Sequence, residues 1–274
     1  MGLSRKFDNP QFKPISLMDK FRGLAYRARN ENISIFELLS TSLRYRFTRY
    51  INWILFLVFP RYDYMDWRKR GLEESLQGYL SRRYEPSNNF LWDLLEIRQG
   101  ESVLEIGSNA GNRILELGRN LQTSFFHGID INATAIKLGN ATAELDGLTN
   151  VSFSVTDISN SDEFKDSKSY DVVFSWATLM YIHPRDILET LRIISGITSR
   201  KLVLIEQISD SKSKFSIFRK GAPVLLEPTW SRNYVELITQ VTLRKFRSVM
   251  VSVPVTTWNP GGGGANALII EFEA

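Results

Sequence analysis

The sequence has no cysteine and only two histidines, His127 and His183, among its 274 residues. Without cysteine, a disulfide framework, a thiolate zinc site and a cysteine nucleophile are all excluded. Two histidines are too few for a histidine-based metal site, so catalysis by a protein-bound transition metal is not expected. The sequence therefore predicts no metal centre.

Long apolar runs are also missing. The longest candidate, Ile51–Phe59, has nine residues with one polar member, Asn52, whereas a membrane-spanning helix needs about 20. The first 18 residues lack the apolar region and cleavage site of a secretory signal, so we expect a cytoplasmic protein. Arginines and aromatic residues across 44–60 would suit peripheral contact with the inner face of an anionic membrane. Burial against the rest of the chain, or at a homodimer interface, is the favoured interpretation.

The basic character of the chain is confined to its N-terminal segment. Residues 1–70 contain 14 Lys and Arg against 6 Asp and Glu, although the whole chain has a net charge of only +4. A capping-box pattern, Ser34 to Glu37, predicts a helix through 38–59, and 66–84 and 88–97 predict two more. We therefore expect a helical accessory segment over residues 1–86 and a second domain over 87–274.

After Gly100 the pattern changes to short apolar runs that alternate with helical stretches. Five runs are almost continuously apolar, as in a parallel sheet that is covered on both faces. Helical spacing lies between them at 113–121, 133–147 and 184–196. The predicted strands are 102–106, 125–129, 151–155, 171–176, 201–206, 247–253 and 267–272.

The last two predicted strands are separated only by the turn-forming stretch 256–266, which leaves no room for a crossover helix. They should pair antiparallel. The predicted fold class is α/β, a Rossmann-like doubly wound seven-stranded sheet with an antiparallel last strand and an N-terminal helical segment.

The turn after the first strand contains Gly107 and Gly111, which allow tight turning and close approach of the backbone to a ligand. Ligands of open α/β sheets bind at this edge. The stretch 107–112 matches a dinucleotide motif only at its first glycine, and Glu105 lies just before the turn. An acid there suits a ligand with an ammonium or sulfonium group better than a pyrophosphate.

Acidic residues also end the next two strands. Asp130 follows the glycine turn by about twenty residues, the spacing at which an acid reaches the two hydroxyls of a ribose. Asp157 ends the third strand, where it could accept a hydrogen bond from an adenine amino group. Three such signals in order on successive strands favour a nucleoside-containing ligand.

The motifs LEIGSNAG (104–111), GIDIN (128–132) and TDI (156–158) resemble those of class I S-adenosylmethionine-dependent methyltransferases, over roughly Asn88 to the C-terminus. The resemblance implies S-adenosylmethionine as cofactor, with its methionine portion at the glycine turn, its ribose at Asp130 and its adenine near Asp157. The family often has glycine where this chain has Asn109, but asparagine tolerates unusual backbone angles, so we expect the turn to form. The implied cofactor-binding residues are Glu105, Gly107, Ser108, Asn109, Gly111, Asp130, Ile131, Asp157, Ile158 and Ser175.

Catalytic residues are expected where the fourth and fifth strands end. Methyl transfer to a hydroxyl needs an aligned acceptor and removal of its proton. His183 is a candidate general base, or a helix-start residue bonded to backbone. Glu206 is a second candidate base, or a loop cap, and Tyr181 lines the acceptor pocket or belongs to the core. The stretch 207–238 is predicted to be a long loop that covers the acceptor.

The predicted function is methylation of a small-molecule or sugar/glycan acceptor. The sugar or glycan acceptor is suggested by the stretches 104–113, 128–136 and 174–184, which resemble methyltransferases of bacterial surface-glycan and sugar biosynthesis. No Asn/Asp-Pro-Pro-Tyr/Phe motif follows the fourth strand, which favours a hydroxyl or carboxyl acceptor and leaves carbon and nitrogen open. RNA or protein methylation, docked through the basic N-terminal helices, is an alternative, although nucleic acid is not the expected partner. A non-catalytic cofactor-binding interaction module is another.

Overall fold

The computed structural model describes residues 86–159, 164, 169–209, 220–224, 229–253 and 266–273, and the single positions 51, 54, 55, 57, 67 and 68. All except Ile51 belong to one compact unit, Trp53–Ala274. The predicted capping box at Ser34 and most of the helices predicted over 38–59 and 66–84 lie outside the described residues. The domain boundary predicted after residue 86 therefore stays a prediction. Among the described residues, no helix is long and apolar enough to cross a membrane.

The described part of Trp53–Ala274 alternates strands and helices, as the sequence predicts. The elements are α1 (Pro86–Leu95), β1 (Ser102–Ile106), α2 (Asn112–Asn120), β2 (Phe125–Asp130), α3 (Ala133–Leu145), β3 (Val151–Val155), β4 (Tyr170–Trp176), a 3-10 turn (Leu179–Tyr181), α4 (Ile187–Ile197), β5 (Thr198–Glu206), β6 (Ala222–Pro223), β7 (Trp230–Ser231), α5 (Tyr234–Val241), β8 (Phe246–Ser252) and β9 (Asn266–Phe272). Each predicted strand corresponds to an observed one.

Seven strands form one sheet in the order β3-β2-β1-β4-β5-β9-β8. Strands β1 to β5 are parallel, and β9 pairs antiparallel with both β5 and β8. The predicted seven-stranded, doubly wound sheet and the antiparallel pairing of its last two strands are confirmed. The strand order reverses between the neighbouring strands β1 and β4, which is where open α/β sheets bind ligands.

Both faces of the sheet are buried, because neighbouring residues of a strand point to opposite sides. Val103 packs on one face with Leu91 of α1 and Ile114 of α2. Leu104 packs on the other face with Leu191 of α4. This two-sided burial explains why the parallel strands are almost continuously apolar. The polar residues of interest are therefore concentrated where the strands end.

The prediction of a loop over the whole of 207–238 is wrong at its C-terminal end. Helix α5 begins at Tyr234, and the Asn233 side chain caps it by accepting a hydrogen bond from Glu236 N at 3.1 Å. Asparagine three residues before glutamate is a helix-start signal, so the sequence contained this information. Strands β6 and β7 form a short antiparallel ladder in the same stretch.

Candidate functional site

The turn after β1 has three residues with left-handed backbone angles. The φ angles are 74° at Gly107, 51° at Asn109 and 80° at Gly111. The amides of Gly107 and Ser108 both donate to the Ile129 carbonyl oxygen, at 2.8 and 2.9 Å. The turn is thus fastened to the end of β2. Asn109 adopts the angle that favours glycine, as expected, and its Oδ1 accepts from Ala110 N at 2.7 Å.

Asp130, at the end of β2, ties the glycine turn to the start of α3. Its Oδ2 accepts from Asn109 N at 2.9 Å and its Oδ1 accepts from Asn132 N at 2.8 Å. Burial raises the pKa of the Asp130 carboxyl, and the backbone hydrogen bonds oppose that rise. Each oxygen has a second lone pair, so the carboxylate retains capacity for further donors.

Glu105, near the end of β1, is completely buried. Its Oε1 accepts from Arg113 Nη1 at 3.1 Å, and the Arg113 guanidinium lies 4.4 Å from the centre of the Trp176 ring. Its Oε2 has no hydrogen-bond partner among the described residues. Burial raises the pKa of Glu105 to about 7, although Arg113 acts in the opposite direction. The site therefore holds one buried carboxylate oxygen that lacks a donor.

The two glycines of the turn make room for the chain's own side chains. A Cβ atom on Gly107 would overlap the Thr178 side chain, and one on Gly111 would overlap the Phe153 ring. The sequence predicts that a ligand approaches the backbone at these glycines. On the sides where a Cβ would point, the groups that approach are Thr178 and Phe153. Packing against β3 and against the segment after β4 thus fixes the turn.

The other predicted cofactor-binding residues lie along the same edge. Asp157 Oδ1 accepts from the Ser159 amide and hydroxyl, at 3.0 and 2.7 Å. Ile158 is buried, and Ile131 follows Asp130 at the end of β2 in a half-buried position. Ser175 is fully buried and donates to a carboxylate oxygen of the chain itself, in Glu206. The structure thus brings this set together at the carboxyl ends of β1 to β4.

Glu206, at the end of β5, is buried and accepts several hydrogen bonds. Its Oε1 accepts from Ser175 Oγ at 2.7 Å, Thr178 N at 3.0 Å and Leu179 N at 3.1 Å. Its Oε2 accepts from Met180 N at 3.0 Å. Burial raises the pKa of the Glu206 carboxyl, against the effect of these donors. These contacts agree with the alternative in which Glu206 caps a loop. They do not show whether Glu206 acts as a base.

His183 and Tyr181 lie on the segment after β4. His183 Nδ1 accepts from Arg185 N at 3.2 Å, so the proton of the neutral ring is on Nε2. Burial lowers the pKa of His183, and its ring lies edge-on to Trp230, with centroids 5.7 Å apart. The Tyr181 ring contacts the Trp67 ring in a similar edge-on manner, at 5.1 Å.

Sequence analysis missed two residues at this site. Arg232 is fully buried and donates to carbonyl oxygens of the segment after β4, but an arginine within a predicted loop gave no signal of this. Trp67 contacts Tyr181, and its carbonyl oxygen accepts from Asn132 Nδ2 at 3.1 Å. Within the described ranges, no three His, Cys, Asp or Glu side chains form a group that could hold a metal ion.

Comparison with known proteins gives one family match. Residues 97–227 match a family model described as a methyltransferase domain. No curated protein matches the sequence.

Solved structures with the same fold are numerous and distant in sequence. A SAM-dependent methyltransferase from Aquifex aeolicus has a TM-score of 0.51 at 18% identity, over 73% of this chain and 98% of that one. The N-terminal domain of EvdMO1, solved with SAH bound, gives 0.52 at 12% identity, over 70% and 82%. The cyclase SpnF gives 0.53 at 13% identity, over 68% and 80%. At such identities the likeness establishes the fold, and the cyclase illustrates that one fold hosts different reactions.

Residues 97–227 match the methyltransferase-domain model, the sheet has the fold of the solved structures named above, and these findings together indicate S-adenosylmethionine as the cofactor.

Proposed function

We propose that this chain is an S-adenosylmethionine-dependent methyltransferase whose acceptor is a small molecule or a sugar or glycan intermediate, methylated at oxygen. The observation that carries the proposal is the buried Oε2 of Glu105, which has no donor among the described residues. A buried acceptor without a partner is costly, so a ligand that supplies a donor is strongly favoured. An ammonium group supplies such a donor, a sulfonium adds a favourable positive charge near the carboxylate, and a pyrophosphate offers neither.

The neighbouring residues suit the remaining parts of the cofactor. Asp130 keeps lone pairs for two ribose hydroxyls, after accepting one backbone hydrogen bond on each oxygen. Asp157, with Ile131 and Ile158, is proposed to surround the adenine, and Ser108 and Asn109 the methionine portion. When bound, the cofactor supplies an electrophilic methyl group. The chain contributes by orienting the acceptor in line with that group and by excluding water.

The acceptor side is lined by aromatic rings with polar edges. Tyr181 contacts Trp67, and His183 contacts Trp230. Such rings offer apolar faces and hydrogen-bonding edges, which suit the alternating CH and OH groups of a sugar. In the orientation described, His183 would donate from Nε2 to the acceptor oxygen. A role as general base requires release of His183 Nδ1 from the Arg185 amide, so that Nδ1 takes the ring proton and Nε2 becomes the acceptor.

Calorimetry with S-adenosylmethionine tests the cofactor site. We expect the wild type to bind and Asp130→Asn to bind about 10-fold more weakly, because a charged acceptor of two hydroxyls is lost. The matched control is Asp171→Asn: Asp171 accepts from Ser102 N and Oγ at the amino end of the sheet, away from the site. Wild type that does not bind would reject the function. Equal affinity in Asp130→Asn would reject the placement of the ribose.

Transfer of a labelled methyl group tests the acceptor class. Purified protein with labelled cofactor would be offered glycan intermediates, free hydroxylated small molecules, RNA and protein. Label in an ether or ester of the first two classes supports the proposal. Label confined to RNA or protein supports the alternative in which the basic N-terminal segment docks the substrate. Binding of the cofactor without transfer to any class supports an interaction module.

We propose that the protein is cytoplasmic. Its N-terminal segment either forms a homodimer interface or contacts a membrane peripherally through 44–60. Co-sedimentation with vesicles of anionic lipid, and light scattering for the oligomeric state, distinguish the two. Absence of vesicle binding removes the membrane proposal.

A further inference from the structure

We infer that Glu206 and Arg232 are positioning residues that together hold the segment Ala177–His183 between the cofactor and the acceptor. This inference rests on the proposed function, because it assigns roles at the same site. The two side chains hydrogen-bond to the same stretch of backbone, one to its amides and the other to its carbonyls. The carboxylate of Glu206 accepts from amides, and the guanidinium of Arg232 donates to carbonyls. Below, the pair is called the backbone clamp.

The Glu206 half of the clamp converges on three successive amides. Thr178 N and Leu179 N donate to Oε1, at 3.0 and 3.1 Å, and Met180 N donates to Oε2 at 3.0 Å. The Ser175 hydroxyl completes the set at 2.7 Å. Three amides in a row that point at one carboxylate require a particular backbone path. That path begins at Ala177, a non-glycine residue with a φ angle of 52°.

The Arg232 half holds the carbonyls of the same segment. Its Nη1 donates to the Leu179 carbonyl at 2.8 Å, and its Nη2 donates to the Ile182 carbonyl. Its Nε donates to the Lys220 carbonyl at 2.9 Å. Arg232 therefore also joins the segment after β4 to the stretch after β5. The fixed fork of a guanidinium suits this use, because its donors diverge at set angles.

The clamp lies between two functional regions. On one side, the Thr178 side chain occupies the space that a Cβ atom of Gly107 would fill, so the position of Thr178 backs the glycine turn. On the other side, Tyr181 contacts the Trp67 ring and His183 contacts the Trp230 ring, on the proposed acceptor side. A displacement of Ala177–His183 would therefore disturb both the cofactor turn and the acceptor side chains.

Burial explains why the clamp should act as a unit. Glu206 and Arg232 are each about 1% exposed, and Glu206 lies close enough to favour the charged form of Arg232. Removal of one partner leaves the other as a buried charge with reduced compensation. The effect of substituting either residue should then appear in the segment that both hold, and not only in overall stability.

Hydrogen exchange and cofactor-product binding test the clamp together. In Glu206→Gln the side chain keeps one acceptor oxygen but presents an amide to Met180 N. We expect the Met180 amide, which loses its acceptor, to exchange about 10-fold faster and the affinity for S-adenosylhomocysteine to fall about 10-fold. Exchange in β2 should remain unchanged. Arg232→Lys, which keeps the charge but not the fork, should weaken affinity in the same direction.

A matched control separates positioning from general destabilisation. Lys201 is another buried charged residue, and it contacts Leu94, Glu96 and Glu271 in the region of α1 and β9. Lys201→Met should lower the melting temperature without changing affinity for S-adenosylhomocysteine or exchange at 178–180. If Glu206→Gln is too unstable, Arg232→Lys serves as the second variant, because it leaves the Glu206 carboxylate in place and removes the forked contacts to the Leu179 and Ile182 carbonyls.

The outcomes distinguish the clamp from the proposed function. Unchanged exchange at Met180 in a folded Glu206→Gln protein, or wild-type affinity in a folded Arg232→Lys protein, would overturn the clamp. Faster exchange with wild-type affinity would overturn its positioning role. Failure of the wild type to bind S-adenosylhomocysteine would instead contradict the proposed function, while the exchange measurements would still report on the contacts of Glu206.

Discussion

The two halves of the site edge are built differently. The cofactor half, after β1 and β2, is held by backbone amides and by carboxylates such as Asp130, which bonds to Asn109 only 21 residues away. The acceptor half, after β4 and β5, depends on Glu206 and Arg232, and Arg232 bonds to Leu179 from 53 residues further along the chain. The first half is built on a local turn against which Thr178 and Phe153 pack, whereas the second depends on two buried charged side chains that reach a distant stretch of backbone.

This difference has a physical consequence. In the turn of the cofactor half, backbone conformation is the critical property, so the weak points of that turn should be residues with left-handed angles, apart from the buried carboxylate of Glu105 beside it. In the acceptor half, the critical property is the compensation of buried charge, so its weak points should be side chains whose removal orphans a partner. Substitutions that affect only one of these properties can therefore test the comparison.

The largest effect is expected for Gly107→Ala. The substitution adds a Cβ at a φ angle of 74° and overlaps the Thr178 side chain. The angle costs about 1 kcal/mol and the overlap about 2 kcal/mol more in the free energy of unfolding. Because the turn must shift, binding of S-adenosylmethionine should be largely lost. Denaturant unfolding and calorimetry measure the two effects.

Gly100→Ala is the control for that experiment. Gly100 has a φ angle of 84° but no atom within 4 Å of an added Cβ. Gly100→Ala should lower the free energy of unfolding by only the cost of the backbone angle, about 1 kcal/mol, and should leave cofactor affinity unchanged. If both variants lose the same stability and neither loses affinity, the contact between the glycine turn and Thr178 is unimportant. The two halves would then be independent.

A pH dependence of intermediate size is expected from Glu105. Burial raises its pKa to about 7, so the carboxyl is mostly neutral at about pH 6 and mostly charged at about pH 8. A cationic ligand prefers the charged form, so affinity for S-adenosylmethionine should rise about 10-fold over that interval. Calorimetry at several pH values measures it.

The same group has the opposite effect on the ligand-free protein. Since the pKa in the folded state lies above the ordinary value of 4.5, its contribution to stability is complete below about pH 4.5 and is lost as the pH rises to about 7. Glu105→Gln should flatten both profiles. Glu101→Gln, which alters a carboxylate paired with Arg200 near the start of β1, should flatten neither. A binding profile in Glu105→Gln as steep as in the wild type would contradict the assignment.

The contrast between the halves also explains what the sequence could predict. Gly107, Asp130 and the strand ends follow local rules of spacing and backbone angle, and the doubly wound sheet follows from alternation of strands and helices. The roles of Glu206 and Arg232 depend on which distant backbone groups come near them. No local pattern encodes that proximity, although the capping signal at Asn233 did mark the helix that follows.

Trp67 was missed for a related reason. Its contacts with Asn132 and Tyr181 connect positions 65 and 114 residues apart in the sequence. In the sequence it is one of several aromatic residues in a stretch of basic helical pattern, where a solvated or packed position is the simpler interpretation. Only the packing of the chain distinguishes it from them.

The smallest effect is expected at Asn109, where two contributions oppose each other. Glycine would remove the cost of the 51° φ angle, but it would also remove the hydrogen bond from Ala110 N to Asn109 Oδ1. Each contribution is about 1 kcal/mol, so Asn109→Gly should change the free energy of unfolding by less than about 1 kcal/mol. Asn109→Ala keeps the unfavourable angle and loses the hydrogen bond, so it should cost about 1 to 2 kcal/mol. Denaturant unfolding of both variants measures the difference. If alanine were tolerated as well as glycine, backbone angle would not be the critical property of the cofactor half, and the comparison with the acceptor half would fail at its first premise.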